Sequence, residues 1–314
     1  MAKSRRIFKY VSFSEHVLSQ LVMDQVFYAN PSSFNDPLDC QPVVTADLEV
    51  QQLKELVAAM VLRRSDTELR LALQQLRLKG DKAESRIRAV SHSQIMETLQ
   101  EIEYLATDPD VGDPQEYIRF RFTTLIQEEL RTGYERGVCC LSRRWDSVLM
   151  WSHYADQHRG LCIEYDASPL AEAELHRVNY DTAREIPASV LYRLFITVDE
   201  SVRPQVDRAA LLTKSSEWRY EQEVRVLSRL GPEDSPFTLK GVIFGMHCPY
   251  TTQFVVAKSL EKREDLQFWN IRQPSRGFRL QRARAELDEA MATLPRETMM
   301  YAFEPVEVSE EKPK

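Results

Sequence analysis

The alternation of apolar and polar positions predicts β-strands near both ends of the chain. The first strands are expected at residues 6–11 and 25–29, with a short helix capped by Ser14 between them. The remaining core strands are predicted at residues 137–142, 160–165, 176–180, 240–246, 267–272 and 278–282. Short helices are predicted among them at residues 147–154, 204–212 and 251–263. Because each strand needs a partner to bury its apolar face, residues near 10 and near 225 are expected to share one sheet.

Between these strands, residues 46–135 carry apolar side chains at helical spacing. The spacing predicts three to five helices, with candidates at residues 47–62, 66–79, 93–105 and 115–130. Asp113 followed by Pro114 favours a helix start, since Asp caps the first turn and Pro fits its first position. We therefore predict an α+β fold: a compact, mixed, split β-sheet core with a large helical insertion after the second strand.

This pattern divides the chain into four expected parts. Residues 1–45 form the N-terminal part of the α/β core, residues 46–135 form the helical insertion, and residues 136–285 complete the core. Residues 286–314 form a C-terminal segment. Its tail after Glu304 is charged and contains proline, so it is expected to be disordered.

Composition narrows the classes of protein that this chain can represent. A formal charge of -7 gives no reason to expect broad binding to nucleic acid or to an anionic membrane. No window approaches the length of about 18 apolar residues that a membrane span needs, and the N-terminus lacks the apolar run of a signal peptide. The five cysteines include no CxxC pair, so they are expected to be reduced and buried in a cytoplasmic protein.

The densest pattern of charge lies at residues 214–225. Read as a strand that enters the sheet, this segment places Glu221, Glu223 and Arg225 on one face. Carboxylates beside an apolar sheet are costly unless they are paired or used in chemistry, so Glu221 and Glu223 are candidate catalytic residues. Lys214 and Arg225 could pair with them, and a purely structural ion network is the alternative.

Two other segments carry candidate ligand-binding residues. Asn35 and Asp36 lie in a loop rich in proline and asparagine, where they could hold a substrate or brace their own turn. Trp151 and Tyr154 are expected on one side of a short helix, so a planar ligand could stack on either ring. His158 lies in the loop beyond. The alternative is that Trp151 belongs to the core and His158 braces the turn that follows.

These motifs together resemble the bacterial family known as domain of unknown function 2971. The matching residues are Lys9, Tyr10, residues 34–37, Asp39, Trp151, Tyr154, residues 158–163, Lys214, Trp218, residues 220–223 and Arg225. The resemblance extends discontinuously over residues 6–245, with the helical block as its variable part. By its name, the family implies no established activity.

A weaker resemblance is to ADP-ribosyltransferases, which are compact split sheets that bind NAD in a cleft. They use a glutamate on a late strand, often within a Glu-x-Glu pair, and residues 221–223 have this form. The resemblance implies that NAD is a substrate, that Glu223 stabilises positive charge developing on the ribose, and that Glu221 orients an acceptor.

The same resemblance assigns the other sides of the NAD site. Lys9 or Tyr10 would take the early-strand position, although no Arg-Gly or His-Gly motif is present there. Tyr28 or Tyr154 would stack on the nicotinamide ring.

Two further functions stay open. The chain could be a non-catalytic module that binds a small ligand or a protein, in a stress or phage-defence setting, with the helical block as the partner surface. It could instead be a metal-dependent hydrolase that uses Asp36, Asp39, Glu221 and Glu223. These acidic residues lack the spacing of a metal-binding motif, so no metal site is predicted.

Overall fold

A computed structural model describes residues 5–75, 81–134, 136–180, 183–273 and 275–295. Its strands are β1 (Arg6–Val11), β2 (Gln25–Tyr28), β3 (Val43–Thr45), β4 (Gly137–Ser142), β5 (Leu161–Asp166), β6 (His176–Arg177), β7 (Asn179–Tyr180), β8 (Glu185–Pro187), β9 (Thr213–Lys214), β10 (Glu223–Ser228), β11 (Gly231–Asp234), β12 (Thr238–Phe244), β13 (Gln267–Arg272) and β14 (Gln281–Arg284). Its α-helices are α1 (Glu15–Met23), α2 (Val50–Gln75), α3 (Asp81–Leu105), α4 (Pro114–Gly133), α5 (Val148–Tyr154), α6 (Ala188–Phe195), α7 (Arg203–Leu211), α8 (Tyr250–Ser259) and α9 (Asp288–Thr293).

One mixed sheet of eight strands forms the centre of the molecule, in the order β14-β13-β12-β5-β1-β4-β10-β6. Only β12 and β13 run parallel, and the other neighbours are antiparallel. Strands β1 and β10 lie in this sheet with β4 between them. The predicted α+β class and the predicted sharing of one sheet by residues near 10 and near 225 are both confirmed.

The sheet is split between β1 and β4. Strand β1 pairs with β5 along its whole length, but with β4 at a single position, where Phe8 lies opposite Ser142. Strand β4 pairs instead with all of β10. The junction between β1 and β4 therefore leaves room for a cavity in the middle of an otherwise continuous sheet.

Each face of the sheet has its own hydrophobic core. On one face, Tyr10 and Ile243 pack against Trp151 of α5. On the other face, Ile7 and Val242 share a core with side chains of α1 and α8. Alternate residues of each strand thus enter opposite cores, as the period of two in the sequence requires.

The helices of the insertion share a further core with later parts of the chain. Phe122 of α4 and Leu191 of α6 are both fully buried in this core, which also includes residues of α2, α3 and α7. Strand β3 pairs in parallel with β8 at its border. Because β3 precedes α2, the insertion follows the third strand, and the predicted position after the second strand is wrong by one short strand.

Several predicted boundaries also differ from the structure. The two helices predicted at residues 47–62 and 66–79 are one helix, α2, because no glycine or proline interrupts Val50–Gln75. Helix α3 begins at Asp81, twelve residues before the predicted start at 93. The strand predicted at residues 176–180 is two strands, since β6 pairs with β10 and β7 pairs with β9.

The elements that the sequence did not predict at all are β3, β8, β11, α6 and α9. Asp113 caps α4 as expected, and its carboxylate accepts hydrogen bonds from the backbone N–H groups of Gln115 and Glu116. The tail predicted to be disordered lies outside the described residues. None of the described helices has an apolar stretch that would let it cross a bilayer.

Candidate functional site

The junction between β1 and β4 encloses a cavity of about 340 Å³, which we call the split cavity. Lys9 and Tyr10 of β1 line one side, and Cys140 and Ser142 of β4 line the other. Phe34 and the neighbouring residue Asn35 contribute from the loop after β2. Apolar walls with a few convergent polar groups are typical of small-molecule sites.

Local hydrogen bonds hold the loop at residues 30–39 in place. The Asn30 side chain accepts a hydrogen bond from the Ser32 N–H, and Asp36 Oδ1 accepts one from the Leu38 N–H at 2.9 Å. Asp36 therefore braces its own turn, which was one of the two expectations for it. The loop places both Asn35 and the buried Asp39 at the cavity.

The segment at residues 214–225 is not one continuous strand. Ser216–Glu221 form a 3₁₀ helix, and Gln222 adopts the left-handed conformation, with φ 47° and ψ 48°, before β10 begins. The predicted alternation is therefore wrong for Glu221, although Glu223 and Arg225 do share a strand face. The left-handed residue turns the chain so that Glu221 and Glu223 nonetheless approach the same ammonium group.

That ammonium group belongs to Lys214, which is buried. Its Nζ lies 2.7 Å from Glu221 Oε2, 3.2 Å from Glu223 Oε2 and 3.3 Å from Asp39 Oδ2. Trp218 covers it from one side, with 4.9 Å between Nζ and the ring centre. Burial disfavours the charged amine, but the three carboxylates outweigh this effect and raise the pKa of Lys214.

Arg225 supports the other side of this network and is fully buried. Its Nε donates to Glu223 Oε1 at 2.7 Å, and its Nη2 donates to Asp39 Oδ2, also at 2.7 Å. Its Nη1 donates to the Leu211 carbonyl at 2.6 Å. Removing one partner of such a buried pair costs about 3–5 kcal/mol of stability, because the remaining charge is left uncompensated.

The two glutamates have opposite pKa shifts. Burial raises the pKa of Glu223, but the Arg225 guanidinium and the Lys214 ammonium outweigh it and lower that pKa to about 2. For Glu221, burial again raises the pKa. Lys214 opposes this rise and the nearby Glu223 carboxylate adds to it, so the pKa of Glu221 stays above its ordinary value. Of these two glutamates, Glu221 therefore retains its proton more strongly.

Tyr154 connects this network to the wall of the cavity. Its hydroxyl donates to Glu221 Oε1 at 2.7 Å, and the Asn35 side chain also hydrogen-bonds to it. Burial and the Glu221 carboxylate raise the pKa of Tyr154. The phenol therefore stays protonated and acts as a hydrogen-bond donor.

Lys9 supplies a second amine to the cavity. Its Nζ lies 3.4 Å from the Cys140 carbonyl oxygen and 3.7 Å from Cys139 Sγ. Among the described residues, no carboxylate lies within ion-pair distance of it. This half-buried amine faces the cavity without a counter-ion from that part of the chain.

Twelve residues were predicted from the sequence as catalytic or ligand-binding, and the structure brings seven of them together. These seven line the split cavity: Lys9, Tyr10, Asn35, Tyr154, Lys214, Glu221 and Glu223. Arg225 does not line it, but contacts three of its lining residues, Glu223, Asp39 and Phe34.

The other nominated residues lie away from the cavity. Trp151 is fully buried, and its Nε1 donates to the Trp145 carbonyl at 2.8 Å, so it belongs to the core. The His158 ring stacks on Trp151 with 5.9 Å between ring centres, and its backbone N–H donates to the Trp151 carbonyl, so it braces the turn. Tyr28 lies in the core that includes α1.

Several cavity residues were not nominated from the sequence. Cys140 and Ser142 lie within a strand whose apolar pattern indicates only burial. The Ser142 hydroxyl donates to the Glu221 carbonyl at 2.6 Å and so fixes the end of the 3₁₀ helix. Gln20 and Phe27 come from α1 and β2.

The acidic residues are arranged around an ammonium group and not around a vacant metal position. Asp39, Glu221 and Glu223 converge on Lys214, whereas Asp36 bonds to its own turn. Within the described ranges, no group of three or more histidine, cysteine or acidic residues is placed to hold a metal ion.

Comparison with known families gives a match over the part of the chain that carries much of this site. Residues 150–226 match the model of a family described as protein of unknown function (DUF2971). The match confirms the resemblance that the sequence motifs predict, over about a quarter of the chain and less than the expected span of residues 6–245. It includes Tyr154, Lys214, Glu221 and Glu223. No curated protein and no solved structure matches the chain.

Proposed function

We propose that the split cavity is the active site of an enzyme that consumes NAD and breaks the glycosidic bond between nicotinamide and ribose. The observation that carries this proposal is the pair of glutamates with opposite pKa shifts at the cavity wall. Two carboxylates whose environments separate their pKa values can take different roles in one reaction. Aromatic and apolar walls beside them suit a planar base.

Each glutamate has a distinct role in this proposal. Glu223 stays ionised, because its pKa is lowered to about 2, and its negative charge stabilises the positive charge that develops on the ribose. Nicotinamide leaves as a neutral molecule with the bonding electrons. Glu221 has a raised pKa and accepts the proton of the water or acceptor hydroxyl that attacks the ribose carbon.

Tyr154 and Lys214 position Glu221 for proton transfer. Tyr154 holds one carboxylate oxygen and Lys214 holds the other, at 2.7 Å in each case. The carboxylate therefore has a defined orientation at the cavity wall. Tyr10, whose hydroxyl donates to the Arg144 carbonyl, forms part of the apolar wall on which the base would rest.

A non-catalytic binding module is the second candidate, and one observation favours it. Both oxygens of each glutamate already accept hydrogen bonds from Tyr154, Lys214 or Arg225. A site whose carboxylates are fully paired can bind a ligand without turning it over. In that case NAD would bind and no nicotinamide would be released.

The release of nicotinamide tests the proposal. Wild-type protein is incubated with NAD, and released nicotinamide is measured by chromatography. Glu221→Gln is expected to lower the rate about 100-fold or more, the usual contribution of a general base. Glu223→Gln is expected to abolish release, because the anion that faces the ribose is lost.

Glu217→Gln is the matched control, since Glu217 lies in the same 3₁₀ helix and is exposed. It should release nicotinamide at the wild-type rate. Thermal denaturation of each variant separates loss of chemistry from loss of fold. Absence of nicotinamide release by the wild-type protein, with water and candidate acceptor proteins present, would contradict the enzyme proposal. Calorimetric binding of NAD without release would then support the binding module.

A further inference from the structure

A group of arginines lies near β14, at the opposite end of the central sheet from β10. Residues 272–284, of which the structure describes all but residue 274, include the last residue of β13 and the edge strand β14, and we call this segment the arginine hairpin. It contains five arginines, Arg272, Arg276, Arg279, Arg282 and Arg284, and no aspartate or glutamate. The segment therefore has a formal charge of +5, whereas the whole chain has a formal charge of -7.

Three of these arginines are available to a partner. Arg276, Arg279 and Arg284 are exposed, and none of them forms an ion pair with another described residue. Arg272 is also exposed, and its contact with Glu286 spans 3.6 Å between two solvent-facing side chains. Such a surface pair adds little stability, so Arg272 can exchange Glu286 for another anion.

An aromatic ring lies among these charges. Phe278 has 93% of its surface exposed, more than any other large apolar residue in the described chain. Gly277 precedes it with φ 73°, a conformation that favours glycine, and Leu280 beyond it is buried. The loop thus leaves a phenylalanine ring in solvent between Arg276 and Arg279.

The base of the hairpin is fixed to the sheet. The Arg282 guanidinium contacts the rings of both Trp145 and Trp269, at 5.0 Å and 4.7 Å from their centres. Its Nη1 donates to the buried Glu164 carboxylate at 2.7 Å. Among the described strands, β14 is an edge strand of the central sheet and pairs with β13, so the hairpin projects from an ordered edge.

We propose that the arginine hairpin binds single-stranded nucleic acid, with its free arginines on phosphates and Phe278 stacked on a base. Guanidinium groups match phosphate oxygens in a bidentate geometry, and exposed aromatic rings stack on unpaired bases. None of these residues lines the split cavity, so the inference goes beyond the function proposed above. The net charge of the whole chain does not describe this local surface.

A single-stranded polyanion fits the hairpin better than a membrane does. Membrane adsorption needs a larger apolar face beside the basic residues, whereas the hairpin exposes a single large apolar side chain, Phe278. Single-stranded nucleic acid is therefore the proposed partner, and anionic vesicles serve as the comparison in the binding experiment.

Fluorescence anisotropy with labelled oligothymidylate and oligouridylate of about 12 nucleotides, within the usual range of such sites, tests this proposal. Wild-type protein should bind at low salt, with affinity that falls as salt rises. The triple variant Arg276→Gln, Arg279→Gln, Arg284→Gln should bind at least about 10-fold more weakly, with the salt slope reduced by about 2. Phe278→Ala should lose roughly 5- to 100-fold in affinity, whereas Phe278→Tyr should keep it.

The control carries the same change of charge elsewhere on the surface. Arg208, Arg229 and Lys262 are exposed residues outside the hairpin, and their triple change to glutamine should leave binding unchanged. Equal loss in both triple variants, or no binding by the wild-type protein at low salt, would overturn the proposal. Binding to vesicles of phosphatidylcholine and phosphatidylserine without binding to either oligonucleotide would overturn it as well. Nicotinamide release is independent of all these outcomes.

Discussion

At the scale of single residues, Glu221 and Glu223 show how neighbouring carboxylates acquire different properties. Both are buried, and burial alone raises the pKa of each. Glu223 receives two hydrogen bonds from Arg225 and one from Lys214, whereas Glu221 shares Lys214 and otherwise has a neutral phenol. The difference in positive charge around them separates their pKa values. Of the two, Glu221 is therefore the better suited to exchange a proton during a reaction.

Removal of the Tyr154 hydroxyl tests this separation. That hydroxyl stabilises the charged form of Glu221, so Tyr154→Phe should raise the pKa of Glu221 further. A net hydrogen-bond contribution near 1 kcal/mol corresponds to a shift of about half to one pH unit. Carboxyl ¹³C NMR titration gives the pKa directly, and the pH profile of nicotinamide release should move upward by the same amount.

Tyr220→Phe is the control for this titration, because the Tyr220 ring adjoins Trp218 and His153 and makes no hydrogen bond to Glu221. It should leave the pKa of Glu221 where it is. A downward shift in Tyr154→Phe would mean that the phenol does not donate to the carboxylate.

At the scale of elements, the break between the 3₁₀ helix and β10 decides the geometry of the site. A continuous strand would have placed Glu221, Glu223 and Arg225 in one row. The left-handed backbone at Gln222 instead ends the helix, and the Ser142 hydroxyl accepts the Arg144 N–H while it donates to the Glu221 carbonyl. The site thus depends on one residue in a conformation that side chains disfavour.

Substitutions at Gln222 measure the cost of that conformation. Its side chain is exposed, and left-handed backbone costs an L-residue about 1–2 kcal/mol. Gln222→Gly should therefore raise the free energy of unfolding by up to about 1 kcal/mol, since part of the gain is offset by the entropy of glycine in the unfolded chain. Urea denaturation measures this change.

Gln222→Val supplies the opposite case, because a β-branched residue tolerates the left-handed region poorly. It should destabilise the protein by more than glycine stabilises it. Equal stability of all three proteins would show that residue 222 does not hold a left-handed conformation.

At the scale of the whole molecule, the helical insertion is tied to the part of the chain that carries the site. Helices α2, α3 and α4 bury their apolar faces together with α6 and α7, which lead directly to Lys214. Arg225 in turn donates to the carbonyl of Leu211, at the end of α7. The packing of the insertion therefore supports one wall of the charge network.

A matched pair of leucine substitutions tests this dependence. Leu191 is fully buried between α6 and the insertion, whereas Leu230 is 48% exposed. Leu191→Ala should lower the free energy of unfolding by about 2–5 kcal/mol, through lost burial and the cavity that remains. Leu230→Ala should change it by no more than about 0.5 kcal/mol. Thermal and urea denaturation followed by circular dichroism distinguish the two outcomes, and equal stability would contradict the shared core.

Much of the fold follows from local pattern. The period of two in residues 6–11 and 267–272 predicted β1 and β13 at their observed bounds. Ser14 and Asp113 capped the helices that their side chains indicated. Helix α6 was missed, although its apolar residues recur at helical spacing, because its eight residues begin at Ala188, after Pro187, which provides no polar cap. Short elements carry too few periods for such a signal.

The sequence by itself determined the α+β class, most strand positions and the concentration of charged side chains at residues 214–225. These follow from side-chain period and composition, which are local properties of the chain. Only the tertiary structure decided that β1 and β4 part beyond Phe8, that three carboxylates meet one lysine, and that Trp151 faces the core. Those outcomes depend on contacts between residues distant in sequence, where burial and the balance of charge select the arrangement.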